Sequence, residues 1–415
     1  MASGMFADRR SHAQVWLLAT GKSLYRHARH SRRTFMLHIP KNTLALTRSQ
    51  AKKLWLHAQR LDEPAPFGDG PDATRSAVAH LGYVQIDTIH VVERSHHHIL
   101  FTRIPEYRRA DLHRAQTIDK SVFEYWAHAL AYIPTAEMRF FTGEMRAQRN
   151  EPTVVTAQEL RRLLSRIRRK GPLTIRDITD DVPIEKDHAW ASRKPSVRVL
   201  RRAFYNGQLT VSERTGILKT YELIERHFGF KTLPRPAPQR ERLDYLLDRA
   251  LRAQGVISLD SVCFHDAPGK PAMRRLIKGR VRRKELVRVA IDGADKPEFW
   301  MRPDALEALD QSCGLVHILS PFDPLIIQRK RLKYFFDYEH LFEAYVPKTK
   351  RKLGYFALPV LVDDAIVAAI DLKTDRQNKR VLVQKWTWFT RQGRDVHKKR
   401  TEEALHRFER FQLAK

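Results

Sequence analysis

Residues 156–175, TAQELRRLLSRIRRKGPLTI, contain the pattern that decides the fold. Thr156 and Glu159 form a capping box, and leucine and isoleucine then recur at helical spacing. Gly171 ends this helix, and the next few residues read as a short extended segment followed by a new helix cap. The stretch therefore predicts a helix, a short strand and a second helix in close succession.

The same opening occurs at two other places in the chain. Thr47 and Gln50 form a capping box ahead of a helix, and a third amphipathic stripe begins at Leu243. The third stripe is followed by residues 255–259, GVISL, which match the end of the 156–175 stretch. Three related units are therefore predicted, with the connector PRPAP at 234–238 between the second and the third.

A basic helix and a β-hairpin follow in the second and third units. The second hairpin has strands near 209–212 and 217–223 and turns at Gly216. The third has strands at 286–291 and 299–301 and turns around Gly293. Helix, helix, basic helix and hairpin is the order of a winged helix-turn-helix, whose third helix can enter a DNA groove.

The two ends of the chain differ from these units. In the first unit a helix ends near Gly82 and runs straight into a strand-like stretch at 83–89. The C-terminal part alternates as strands at 355–362, 365–372 and 381–389 and closes with a helix near 396–411. We therefore predict an α+β protein with tandem winged helix-turn-helix domains and a C-terminal β-rich, barrel-like domain. The predicted bounds are a basic, disordered tail at 1–41, winged helices at 42–153, 154–238 and 239–308, and the β-rich domain at 309–415.

The charge balance indicates a polyanionic partner. Lys and Arg outnumber Asp and Glu by 76 to 47, which gives a formal net charge of +29. Because the sequence has no apolar run of about 18 residues, nucleic acid is favoured over an acidic membrane. Only Cys263 and Cys313 are present, which excludes a disulfide framework and predicts a reducing, cytoplasmic and nucleoid-associated setting.

The QID motif at 85–87 contains two polar residues, Gln85 and Asp87, that a protein which only binds DNA does not require at this position. Because side chains alternate along a strand, Gln85 and Asp87 are predicted to share one face while Ile86 packs on the other. On a strand alone this pattern is common and indicates catalysis only weakly.

Aromatic and imidazole side chains crowd the region that follows. Residues 93–98, ERSHHH, precede a predicted strand at 99–104, and residues 123–128, FEYWAH, come soon after. Three histidines on a strand would alternate faces, and no cysteine completes a metal site, so no metal is predicted. Tyr125 and Trp126 are interpreted as core residues or, alternatively, as stacking partners of a displaced base.

These motifs together resemble the AlkZ/YcaQ-like winged-helix DNA glycosylase family. The resemblance rests on QID at 85–87, on residues 93–107 and 123–128, on SPFDP at 320–324, and on the stretch from Tyr345 to Tyr355. It covers nearly all of residues 42–415 and implies tandem winged helices with a C-terminal β-barrel-like domain. It also implies a monofunctional N-glycosylase for N7-alkylated purines and for interstrand crosslinks made through purine N7.

The family signature is Gln-aliphatic-Gln or Gln-aliphatic-Asp, and this chain has the second form. The resemblance therefore implies that Gln85 and Asp87 are catalytic, and that the chain belongs with the broader-acting bacterial crosslink glycosylases. Asp87 could stabilise an oxocarbenium-like sugar and accept a proton from water, while Gln85 could orient that water through its amide oxygen or nitrogen. No cofactor is expected. SPFDP, with two prolines, is interpreted as a rigid structural turn.

The expected partner is double-stranded DNA that carries alkylated or crosslinked purines, bound by a monomer. The alternative is a winged-helix transcriptional regulator without catalysis, and an architectural DNA binder is a third hypothesis. The residues predicted to contact DNA are Arg94, His96, His97, His98, Arg201, Arg202, Arg274, Arg275 and Lys278. The residues predicted to line a lesion pocket are Tyr125, Trp126 and His128.

Overall fold

The computed structural model describes residues 43–179, 182, 185, 192–292, 297–310 and 314–414, and within 297–310 it describes side chains through residue 307. The predicted tail at 1–41, the turn around Gly293 and Cys313 lie outside the described residues. None of the helices in these ranges combines the length and apolarity needed to cross a bilayer. The described ranges form a mixed α+β structure.

The helices follow the sequence pattern closely at their starts. Thr47 and Thr156 both make the predicted capping boxes, in which each threonine hydroxyl accepts from the backbone N–H three residues on. In chain order the α-helices of the described ranges are α1 Arg48–Ala58, α2 Gly70–Leu81, α3 Ser95–Phe101, α4 Arg109–Thr117, α5 Arg139–Arg149, α6 Ala157–Lys170, α7 Pro195–Tyr205, α8 Ile224–Phe228, α9 Gln239–Gln254, α10 Leu259–Val262, α11 Lys270–Arg282, α12 Pro324–Ile327, α13 Arg329–Phe336 and α14 Arg391–Leu413.

The strands form four sheets within the described ranges. Their orders are β1-β9-β10-β8, β2-β4-β3, β5-β7-β6 and β11-β12-β13-β14. The strands are β1 Thr43–Leu46, β2 Val84–Gln85, β3 Val122–Trp126, β4 Leu130–Pro134, β5 Leu173–Thr174, β6 Leu209–Thr215, β7 Leu218–Leu223, β8 Ile257–Ser258, β9 Val287–Ile291, β10 Phe299–Met301, β11 Val316–Ile318, β12 Ala357–Val362, β13 Ala365–Asp375 and β14 Arg380–Trp388.

The third unit has the predicted order of elements, whereas the middle helix predicted for the second unit is limited, among the described residues, to a 3-10 turn at Ile175–Asp177. In the second, α6, β5, α7 and the β6–β7 hairpin follow one another, and Gly216 turns the hairpin at a positive φ of 66°. In the third, α9, β8, α10, α11 and the β9–β10 pair follow in the same way. β1 extends the third unit's sheet, because Thr43–Leu46 pairs in parallel with residues 288–291.

The C-terminal strands form an open sheet, so the predicted barrel-like closure is wrong for the described residues. α14 packs against β11 and β14 and covers the sheet with apolar side chains such as Phe408. The same core continues into α2 and α3, where Val78 and Leu100 pack with Leu358 and Ile370 of the sheet. The N-terminal helices and the C-terminal sheet therefore share one hydrophobic core, which brings residue 90 close to residue 410.

Two local predictions are wrong. The strand predicted at 99–104 is replaced by helix α3, because short apolar runs fit a buried helix as well as a strand. The strand predicted at 83–89 is limited to Val84–Gln85. The chain turns just after it, since the Asp87 carboxylate accepts the N–H of Ile89 at 2.8 Å in a local turn.

Candidate active site

The main chain at Gln85 is fixed from both sides. Gln85 pairs with Ala131 of β4, and the next residue, Ile86, donates its N–H to the carbonyl of Leu130 at 2.8 Å. The hydroxyl of Ser95, at the start of α3, donates to the carbonyl of Gln85 at 2.9 Å. Gln85 is only 7 % exposed, so its side chain occupies a defined, largely dry position.

Asp87 lies two residues further on, in the turn after β2, and is half-buried. Burial raises the pKa of its carboxyl, and the backbone N–H groups of Ile89 and Thr88 partly oppose that rise. Tyr345 is 60 % exposed and lies near Asp87. Partial burial, and to a smaller extent the negative charge of Asp87, raise the pKa of the Tyr345 phenol. Asp87 is therefore a carboxylate with strengthened basicity, reached from solvent beside a C-terminal loop.

His128 connects Gln85 to an aromatic cluster. Its Nε2 lies 3.0 Å from Oε1 of Gln85. Its ring centroid is 4.8 Å from that of Tyr83, 5.4 Å from that of Phe264 and 6.2 Å from that of His265. Burial lowers the pKa of His128 to about 3, so the imidazole is neutral at physiological pH.

The sequence did not single out Tyr83, Phe264 or His265 as neighbours of this site. Phe264 and His265 follow α10 in the third unit, and His265 is exposed with a positive φ of 60°. The residues around Gln85 thus come from two units that are far apart in sequence. No sequence pattern indicates the positive φ of His265, so spacing and periodicity could not predict its place near Gln85.

The other two predicted pocket residues are placed differently. Tyr125 is 2 % exposed, is enclosed by aromatic rings such as Phe141 and Phe204, and donates its hydroxyl to the carbonyl of Tyr205 at 2.7 Å. The core interpretation therefore describes Tyr125 better than a stacking role. Trp126 is half-buried against Tyr205.

The three consecutive histidines lie on α3 and point in different directions. His98 is fully buried and its Nε2 bonds to the carbonyl of Ile318 at 2.7 Å, while His96 is also buried. His97 is half-buried and its Nδ1 bonds to the Tyr107 hydroxyl at 2.7 Å. Burial lowers the pKa of His97 and of His98 to about 4. In this structure His96 and His98 therefore face the interior, where phosphate does not reach.

The predicted DNA-contacting arginines and lysine fall into two groups. Arg94 is half-buried at the start of α3. Arg202 donates to the carbonyls of Arg149 at 3.0 Å and Glu151 at 2.8 Å, so it is partly engaged inside the protein. The remaining four are exposed on α7 and α11. They are Arg201, which lies 5.8 Å from the ring of Tyr205, Arg274, which pairs with Glu298 at 2.8 Å, Arg275 and Lys278.

The loop that carries Asp87 is anchored to the C-terminal sheet and helix. Arg376 donates to the carbonyls of His90 at 3.1 Å and Val92 at 3.2 Å. The N–H of Glu93 donates to Oε1 of Gln412 at 2.7 Å, and Arg109 pairs with the Glu93 carboxylate at 2.6 Å. None of these contacts is local, so neither spacing nor periodicity could predict them.

One group of potential metal ligands occurs among the described residues. His57, Asp62 and Glu63 place ligand atoms within 4.8 Å of one another on α1 and the turn after it. His57 Nδ1 lies 2.9 Å from Asp62, and Arg60 pairs with Glu63 at 2.5 Å. A hydrogen bond between His57 and Asp62 and an ion pair between Arg60 and Glu63 therefore account for this cluster, which is separate in sequence from the loop carrying Asp87.

A family model described as DNA glycosylase AlkZ-like matches residues 78–411. The matched range includes Gln85, Asp87, His128 and Arg376. The chain belongs to the AlkZ-like DNA glycosylase family. This AlkZ-like chain is therefore a DNA repair glycosylase, a hydrolase whose substrate is DNA, and the regulator hypothesis is set aside.

The DNA glycosylase AlkZ of Streptomyces sahachiroi is a solved structure with the same fold. It is 16 % identical to the AlkZ-like chain, with a TM-score of 0.56, and the match covers 89 % of this chain and 97 % of that one. At this identity the likeness shows a common fold, not a common substrate.

Proposed function

We propose that this AlkZ-like glycosylase hydrolyses the N-glycosidic bond of N7-alkylated purines, including purines in N7-linked interstrand crosslinks, and leaves an abasic site. The observation that carries the proposal is the half-buried carboxylate of Asp87, two residues beyond Gln85, whose main chain is fixed and whose side chain is buried. One carboxylate and one amide are few catalytic groups, and they suit a substrate whose N-glycosidic bond is already labile.

An N7-alkylated purine carries a positive charge and leaves as a neutral base, so it needs no strong general acid. In the proposed reaction a water oxygen attacks C1′, and the electron pair of the C1′–N9 bond passes to the base. Asp87 accepts one water proton and stabilises the positive charge that develops on the sugar. The raised pKa of Asp87 strengthens it as a proton acceptor, and a cationic substrate nearby favours its ionised form.

We also propose that the second and third units act as winged helices on the DNA backbone. Arg201 on α7 and Arg275 and Lys278 on α11 are exposed and carry no negative neighbour among the described contacts, which suits phosphate binding. Contacts of this kind position the duplex without reading its sequence. A repair enzyme acting on one lesion needs no twofold symmetry, so one chain per lesion is proposed.

An open approach to Asp87 supports the crosslink part of the proposal. Asp87 is half-buried and Tyr345 beside it is largely exposed, while His265 near Gln85 is also exposed. A base tied to the opposite strand cannot be flipped completely into a closed pocket, so a site open to solvent accommodates it better.

The test is excision from a duplex with one N7-methylguanine, and from a second duplex with an N7-linked crosslink, read as strand cleavage at abasic sites after alkali. The wild-type chain is expected to cleave both. At about 4 Å and an effective dielectric constant of about 20, loss of the Asp87 charge removes about 4 kcal/mol. D87N should therefore be slower by about a thousandfold, at about 1.36 kcal/mol per tenfold.

Asp72→Asn is the matched control, because Asp72 is an exposed carboxylate on α2 that pairs with Arg75. D72N should cleave at the wild-type rate. Failure of the wild-type chain on both duplexes, or full activity of D87N, would overturn the proposal. If only the methylated duplex were cleaved, the proposed activity on monoadducts would stand and the proposed activity on crosslinks would be wrong.

A further inference from the structure

Gln85 has one remaining freedom, the orientation of its amide group. The main chain on both sides is held by β4 and by the Ser95 hydroxyl, and the side chain is 7 % exposed. An amide can present either its carbonyl oxygen or its NH₂ group to a substrate, and these two faces have opposite hydrogen-bonding character. Whatever contacts the amide from the protein side therefore decides what the substrate encounters.

His128 makes that contact. Its Nε2 lies 3.0 Å from Oε1 of Gln85, and oxygen can only accept, so Nε2 carries the proton and donates it. A neutral imidazole has one donor and one acceptor, and burial among Tyr83, Phe264 and His265 keeps His128 in that neutral form. The contact thus couples one tautomer of His128 to one orientation of the amide, and in this structure the amide oxygen faces the imidazole.

We infer that His128 is a positioning residue, which holds the Gln85 carbonyl oxygen on the protein side and turns the NH₂ group toward the substrate. This inference rests on the proposed function and specifies how Gln85 takes part in it. Gln85 then donates a hydrogen bond to the oxygen of the attacking water. Asp87 becomes the acceptor of the water proton, and the second lone pair of the water oxygen is left to attack C1′.

The division of roles explains why the two site residues differ chemically. Two acceptors around one water would compete for its protons and leave its oxygen poorly oriented. One donor and one acceptor define the direction of the attacking lone pair, which is a gain in orientation that acts on the chemical step. Loss of His128 should consequently lower kcat and leave the KM for DNA unchanged.

The first experiment compares His128→Phe with His128→Gln on the N7-methylguanine duplex under single-turnover conditions. Phe keeps the ring volume and removes the donor, while Gln retains an N–H donor. H128F is expected to be slower by about tenfold, the effect of about 1.4 kcal/mol, and H128Q should recover most of the rate. His113→Phe is the matched control, because His113 is a half-exposed histidine on α4 that lies next to Glu213.

The second experiment separates positioning from a general structural role. In a Gln85→Ala background, H128F should cause no further loss, because its effect passes through the amide that is already absent. Full activity of H128F, equal losses in H128F and H128Q, or an unchanged additional loss in the Q85A background would each overturn the inference.

A spectroscopic readout keeps the inference separate from the proposed function. The side-chain NH₂ resonance of Gln85, assigned by its disappearance in Q85A, should shift in H128F and stay near its wild-type position in H113F. If the wild-type chain excised no base, the proposed function would fail, while the resonance would still test the contact. A Gln85 resonance that did not move in H128F would overturn the inference even in an active enzyme.

Discussion

The ion pair between Arg103 and Asp323 offers the sharpest stability test in the molecule. Both side chains are completely buried, and the guanidinium contacts the carboxylate twice, at 2.8 and 3.1 Å. Arg103 also donates to the carbonyl and to the side chain of Gln59, and Asp323 accepts the N–H of Leu325 to cap α12. The pair therefore joins the end of α3 to the SPFDP turn, across 220 residues of sequence.

Asp323→Ala is expected to lower the free energy of unfolding by about 3–5 kcal/mol, because it leaves a buried guanidinium without a counter-charge. Loss of the cap to Leu325 adds about 1 kcal/mol. Arg103→Met should be destabilising by a similar amount, since it leaves the carboxylate of Asp323 buried alone. The double variant contains no isolated charge, so its loss should be clearly smaller than the sum of the single losses.

Equilibrium unfolding in urea, followed by circular dichroism and tryptophan fluorescence, measures these differences. Glu339→Gln is the comparison, because the Lys333–Glu339 pair is largely exposed and should change stability by less than about 1 kcal/mol. Additive losses in the double variant would refute the reasoning, as would a loss in D323A no larger than that in E339Q.

Two further predictions concern the site and the DNA contacts. Burial raises the pKa of Asp87, so stability is lost as pH rises from the ordinary value of 3.8 through the raised pKa, and the loss is constant above that pKa. D87N should therefore be more stable than wild type at neutral pH and equally stable below pH 3.8; an equal gain in urea unfolding at both pH values contradicts this. Arg275→Gln with Lys278→Gln should reduce the slope of log K against log salt by roughly 1.8. Arg202→Gln is the control, because Arg202 bonds to backbone carbonyls within the protein. It should leave that slope unchanged in fluorescence anisotropy titrations.

The sequence predicted best those features that neighbouring residues determine. The capping boxes at Thr47 and Thr156 and the turn at Gly216 are confirmed, because each depends on residues three or four positions apart. The SPFDP motif is structural, as expected, although its partner Arg103 could not be inferred. The helix at Ser95–Phe101 was misassigned as a strand, since a short apolar run has no period long enough to distinguish the two.

The candidate site was only partly predictable. Gln85 and Asp87 are two positions apart in the sequence, and their assignment as catalytic residues stays a prediction. The contact of Gln85 with His128 spans 43 residues, and its neighbours Phe264 and His265 come from another unit. Such contacts arise when separate units pack, and neither periodicity nor spacing carries that information.

The anchor between Glu93 and Gln412 also has a consequence for the order of events during synthesis. These residues are 319 positions apart, which corresponds to roughly 15–60 s of translation at about 5–20 residues per second. Until Gln412 leaves the ribosome, the loop with Asp87 lacks the hydrogen bond between Glu93 and Gln412. Arg376, which binds the carbonyls of His90 and Val92, leaves the ribosome only shortly before Gln412. The loop that carries Asp87 is therefore fully anchored only well after the basic helices α7 and α11 have been synthesised.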